Sequence, residues 1–116
     1  MSAQLADLNH FTGSETFYKN SLYPAFVYTE GARYVLQTAE AYWLLDAIFS
    51  VQIQYFIKKE AFQHWKLIVT GHRGKLTCDD GNKKIIYEQI ILRTDFPVCG
   101  ITFFFTDNVL MLPNEY

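Results

Sequence analysis

The sequence is poor in the residues that most often carry chemistry. It holds three histidines, His10, His64 and His72, and two cysteines, Cys78 and Cys99. The histidines form no HxxxH-type pair and the cysteines no CxxC, so metal-ligand spacing is missing and no cofactor is expected. Glycine is scarce too. The stretch Gly71-His72-Arg73-Gly74-Lys75 is too short for a phosphate-binding loop and lies between expected strands rather than ahead of a helix. There is no dinucleotide fingerprint and no nucleophile elbow. Neither sign of charge dominates, because the formal net charge is −2. That leaves no basic field for nucleic acid and no acidic tail. No apolar run reaches the roughly 20 uninterrupted residues of a membrane span. Met1 to Asp7 lacks the basic start and apolar core of a signal peptide. Without such a leader the two thiols are expected to be reduced and unbridged, in a cytoplasmic protein.

Apolar and aromatic residues are abundant instead. Half of the 116 residues are hydrophobic and 17% are aromatic, with ten Phe and eight Tyr. This composition excludes disorder, and the length sets one domain, 1–116. So many aromatics exceed what a small core needs, so an exposed aromatic patch, and with it an interface, is expected.

The run Tyr42-Trp43-Leu44-Leu45-Asp46-Ala47-Ile48 is apolar around a whole helix wheel, which points to burial. A helical region is expected over Glu30 to Gln54, with Thr29 as N-cap, Glu30 suited to the helix dipole and a break near Thr38. Before it, Ser2 to Asn9 reads as a short helix, Phe11 to Ser14 as a turn, Glu15 to Asn20 as strand or helical turn, and Ala25 to Tyr28 as extended. After it the period becomes two. His64 to Thr70, Lys75 to Cys78, Lys83 to Arg93, Ile101 to Thr106 and Val109 to Leu112 read as strands. They are joined by the Gly71–Gly74 loop, a tight turn at Asp80-Gly81, the loop Thr94-Asp95-Phe96-Pro97 and a second tight turn at Asp107-Asn108. Lys83 to Arg93 is apolar on both faces and is expected in the sheet interior. The fold class is α+β, with N-terminal helices packed on one face of a roughly five-stranded antiparallel meander.

Asp46 is the sharpest candidate for chemistry. A carboxylate inside an apolar helix is expected to be buried, flanked by Tyr42 and Ser50 one turn away. It serves either a ligand site or a structural hydrogen bond, and the structural role is favoured. Asp95 and Phe96 form either a recognition loop or an Asx-type turn with Phe96 packed inward, the turn being favoured. Glu115 and Tyr116 suit a partner contact, with fraying the commoner outcome. Arg73, Lys75, Lys83 and Lys84 gather near two hairpin ends, where charge usually keeps a sheet soluble. Nucleic-acid binding through them ranks last.

Taken together, Phe11-Thr12-Gly13, Tyr42 to Ala47, Trp65-Lys66-Leu67, Asp80-Gly81, Thr94-Asp95-Phe96-Pro97 and Leu112-Pro113-Asn114-Glu115-Tyr116 resemble a small uncharacterised bacterial family found on chromosomes, plasmids and phages. The resemblance implies a free-standing bacterial domain with a link to mobile elements, and it carries over no catalytic residue. The function expected is a non-enzymatic binding module acting through a protein partner or self-association. The alternative is a small-molecule binder or enzyme using a buried Asp46 with Asp95, His64 or Glu115.

Overall fold

The computed structural model describes residues 17–19, 23, 25–54, 57, 59–97 and 99–116. The expected helix over Ser2 to Asn9 and turn at Phe11 to Ser14 lie outside them. Among the described residues, β1 (Phe17–Lys19) and β2 (Val27–Thr29) precede α1 (Glu30–Thr38) and α2 (Tyr42–Val51). Then come β3 (Phe62–Thr70), β4 (Arg73–Asp79), β5 (Ile85–Ile91), β6 (Gly100–Thr106), β7 (Val109–Met111) and a 3-10 turn, Pro113–Glu115. The protein is α+β.

Thr29 caps α1, its Oγ1 accepting from Ala32 N at 3.1 Å. The expected break after Thr38 is a Schellman-type end. Ala41 N donates to Leu36 O at 2.8 Å and Glu40 N to Gln37 O at 3.2 Å. Glu40 takes the left-handed position at φ 54°, which a glycine usually fills.

The sheet differs from the expected five-stranded antiparallel meander. It has seven described strands in the order β1-β2-β7-β6-β3-β4-β5. Every pair is antiparallel except β2 with β7. Among the described residues, two strands precede the two helices. The chain leaves β5 and returns to the far side of β3, where β6 pairs. That return is pinned at the β3–β4 hairpin end, where Thr94 N donates to His72 O and Val69 N to Cys99 O, both at 2.7 Å.

Among the described strands β5 therefore lies at the sheet edge, which corrects the interior position expected for Lys83 to Arg93. A strand apolar on both faces is central only when both faces of the sheet are covered. Here the helices cover one face. The central strand β3 accordingly alternates, with Trp65 and Leu67 buried and Lys66 exposed between them. The turn at Asp107-Asn108 has both residues at positive φ, as a two-residue hairpin requires. The expected tight turn at Asp80-Gly81 is instead a wider loop, with Gly81 and Lys83 at positive φ. Asp79 and Asp80 accept from the Gly81 and Asn82 amides in it.

The core lies between the helices and one sheet face. Leu44, Leu45, Ile48 and Phe49 of α2 are buried with Trp65, Leu67, Phe103, Phe105 and Leu110. Phe49 meets Phe26 and Phe105 at ring-centroid distances of 5.3 and 5.9 Å.

Candidate functional site

The candidates from the sequence lie in different places. Asp46 is exposed, which corrects its expected burial. The helix α2 is not apolar all round in effect. Its row Tyr42, Asp46 and Ser50 faces outward while Leu44, Leu45, Ile48 and Phe49 face the sheet. Tyr42 packs edge-on against Tyr28 at 6.5 Å. Burial pushes the Tyr28 phenol pKa up, and Tyr42 adds to that rise.

Phe96 is buried and Asp95 exposed, in keeping with the turn reading of that loop. Thr94 Oγ1, rather than Asp95, accepts from Phe96 N at 3.2 Å. Asp95 lines a cleft of ≈ 560 Å³ with Glu40, Trp43 and Arg93.

Glu115 is buried and fully used. Its Oε1 accepts from Thr29 Oγ1 at 2.6 Å and from Leu112 N at 2.9 Å, and its Oε2 accepts from Gly31 N at 3.1 Å. A carboxylate at a helix start satisfies orphan amides and suits the dipole. Tyr116 stands over the sheet face opposite the helices, its ring 5.4 Å from Phe62 and 5.7 Å from Phe104. The chain's own next strand and turn thus cover Phe104, whose side chain points away from Phe103 and Phe105. His64 sits beside this cluster, its Nδ1 3.0 Å from Asp79 Oδ2.

Asp46, Asp95, His64 and Glu115 are not gathered in any of these clefts. A further groove of ≈ 680 Å³ runs on the sheet face opposite the helices, between Lys66, Ile68 and Thr102 on one side and Pro113 and Asn114 on the other. It contains none of the four.

The Trp65 indole bonds Gln63, not Asp46. Gln52 and Gln63 pair through both amides, at 2.7 and 2.9 Å, and Trp65 Nε1 donates to Gln63 Oε1 at 2.9 Å. Among the described residues no buried side-chain nitrogen or oxygen is left without a partner. Cys78 is buried and Cys99 exposed, both free. Burial, with the Asp79 charge adding, pushes the Cys78 thiol up to about 12, which makes it unreactive. Among the described residues no group of three or more His, Cys, Asp or Glu is arranged to hold a metal ion. Among them, too, no helix is long and apolar enough to cross a membrane.

Among the described residues the sheet runs from β1, which carries Lys19, to β5. β5 is seven residues long, Ile-Ile-Tyr-Glu-Gln-Ile-Ile, and no described strand pairs with its outer side. Ile85, Ile90 and the following Leu92 are 56%, 49% and 76% exposed. Its one acid, Glu88, is tied back to Lys75 of β4 at 3.3 Å.

The model of a family of unknown function, DUF6876, matches residues 2–116. The chain belongs to this family. No curated protein and no solved structure matches it. DUF6876 membership gives no residue a role, so the geometry must carry the functional argument. The β5 edge was missed in the sequence, although its signal is present there. Ile85 to Leu92 combines β-branched residues with cations at both ends, Lys83-Lys84 and Arg93, and such bracketing is common on edge strands.

Proposed function

We propose that the protein is a non-enzymatic interaction module, acting through a protein partner or a second copy, with the β5 edge as its binding surface. One observation carries this reading: no described strand pairs with the outer side of β5, a seven-residue strand that exposes Ile85 and Ile90. Proteins normally blunt a sheet edge by shortening it, charging it, bulging it or placing proline there; β5 has one register shift near Ile85 and pairs regularly with β4 from Tyr87 to Ile91. Between Ile85 and Ile91 the only charge is Glu88, and Lys75 holds it. An open edge takes an added strand through main-chain hydrogen bonds, and the flanking side chains set the choice of strand. The shared carboxylate site of the alternative reading is less favoured, since neither of the two clefts above is lined by more than one of its members.

Two free thiols support a reducing compartment such as the cytoplasm. A place in mobile-element biology rests on the motif resemblance, and the flanking genes test it.

The test compares wild type with Ile90→Lys, and with Ile53→Lys as a control on an exposed site away from the sheet. Sedimentation of the purified chains is read beside affinity capture from the source cells. The reading expects dimerisation, or a captured partner, that Ile90→Lys removes and Ile53→Lys keeps. A monomer that captures the same set in all three forms contradicts it.

A further inference from the structure

We propose that the cleft between the α1–α2 junction and the loop after β5 binds a free basic amino acid, a small molecule with two cationic groups and one carboxylate. This site goes beyond the reading of β5 as a binding edge and does not depend on it.

Two of the stretches singled out in the sequence meet in this cleft, the apolar run of α2 and the Thr94–Pro97 loop. It holds ≈ 560 Å³, within the range of pockets that take a small molecule. Glu40 and Trp43 reach it from the start of α2, and Arg93 and Asp95 from the loop. Asp46, His64 and Glu115 do not line it. Both segments are anchored. Glu40 N donates to Gln37 O at 3.2 Å, and Thr94 N to His72 O at 2.7 Å. Phe96 is buried, its amide donating to Thr94 Oγ1. A backbone held in this way limits the ordering that a ligand must impose on binding.

The lining is more than a pair of acids. The carboxylates of Glu40 and Asp95 share the cleft with the Arg93 guanidinium and the Trp43 ring. All three charged residues are exposed, and among the described residues none is held in an ion pair. Trp43 is half-buried, packing on the core while it lines the cleft. A bare cation there faces the charge of Arg93, and a bare anion faces two carboxylates. A wholly apolar ligand strips water from all three charges and replaces it with nothing. A basic amino acid matches the set in sign and in number. Its two cationic groups answer Glu40 and Asp95, and its carboxylate takes the paired N–H donors of Arg93. Its side chain lies against Trp43, whose ring face attracts a cation. A single exposed charge adds little, so selectivity comes from meeting all three together. Glu40 holds its place at φ 54°, where glycine is the usual residue. A ligand contact gives the carboxylate at that strained position a use.

The test titrates the full, isotopically labelled chain and follows its two tryptophan indole N–H signals by NMR. Trp43→Phe assigns them. The probes are L-arginine, L-citrulline, which lacks the side-chain charge, and agmatine, which lacks the carboxylate. L-Arginine is expected to move the Trp43 signal and leave that of Trp65, which is buried on Gln63. L-Citrulline and agmatine are each expected to bind about tenfold more weakly. Glu40→Gly relieves the backbone, so it is expected to keep the fold while weakening L-arginine about tenfold. Arg93→Gln is expected to weaken L-arginine without weakening agmatine. Absence of any Trp43 shift up to about 10 mM L-arginine overturns the proposal. So does equal binding of L-arginine and L-citrulline, L-arginine binding untouched by both variants, or a Trp65 signal that moves as far as that of Trp43.

Discussion

Thr29 and Glu115 are 86 positions apart in sequence and joined by a 2.6 Å hydrogen bond, Thr29 Oγ1 donating to Glu115 Oε1. The same carboxylate takes the Gly31 amide. Through this contact the turn after β7 closes the start of α1. Gly31 leaves room for it, because a Cβ there would lie 2.6 Å from Glu115 Oε1.

Glu115→Gln is expected to lower stability by about 1–3 kcal/mol, since an amide group turns one acceptor into a donor facing the Gly31 amide. Thr29→Ala costs about 1 kcal/mol as a lost cap. The double variant should lose less than the sum, because the two groups share a bond. Gly31→Ala should destabilise as well. Urea melts of the four chains check all of this.

Glu40 holds a left-handed backbone position at φ 54°. Glu40→Gly removes that strain and is expected to stabilise by about 0.5–1 kcal/mol, after the extra freedom that glycine gives the unfolded chain. A lower melting temperature would show that the Glu40 side chain supports the cleft beside Asp95.

Asp46 and Gln63 should behave oppositely. Asp46→Asn lies on the open side of α2 and is expected to change stability by less than about 0.5 kcal/mol. Gln63→Leu leaves the Gln52 amide and the Trp65 indole without their partner and is expected to cost about 1–3 kcal/mol for each buried group orphaned. Thermal melts separate the two.

The sequence made some of this legible. Thr29 as cap, the break after Thr38, the alternation of Trp65 and Leu67 and the turn at Asp107-Asn108 are local signals, and the structure keeps them. Asp46 misled because the wheel around it carries Tyr42 and Ile53, apolar residues that in fact lie exposed. The β5 position misled because strand order depends on where β6 returns, and that is set by contacts between distant residues. The Glu115 contact was illegible for the same reason, since no local pattern links residues 29 and 115.

Cys78 and Cys99 should differ in reactivity. In the folded chain a thiol reagent near pH 8 is expected to label Cys99 quickly and Cys78 only on unfolding. The Cys78 thiol has its pKa raised from the ordinary value of 9.0 to about 12. The unfolded chain therefore loses this proton near pH 9 while the folded chain keeps it. The stability tied to it is full below about pH 9 and falls as pH rises toward about 12. Equal labelling of both thiols in the native protein would contradict the buried position.

The β5 edge is tested most directly by site-specific photo-crosslinking in the source cells. A photoreactive amino acid is placed at position 90, on the edge, and in separate chains at position 46 on α2 and at position 66 in the groove opposite the helices. Discrete adducts from position 90 alone are the expected result. Adducts from 46 or 66 with none from 90 would contradict the assignment of β5 as the binding surface.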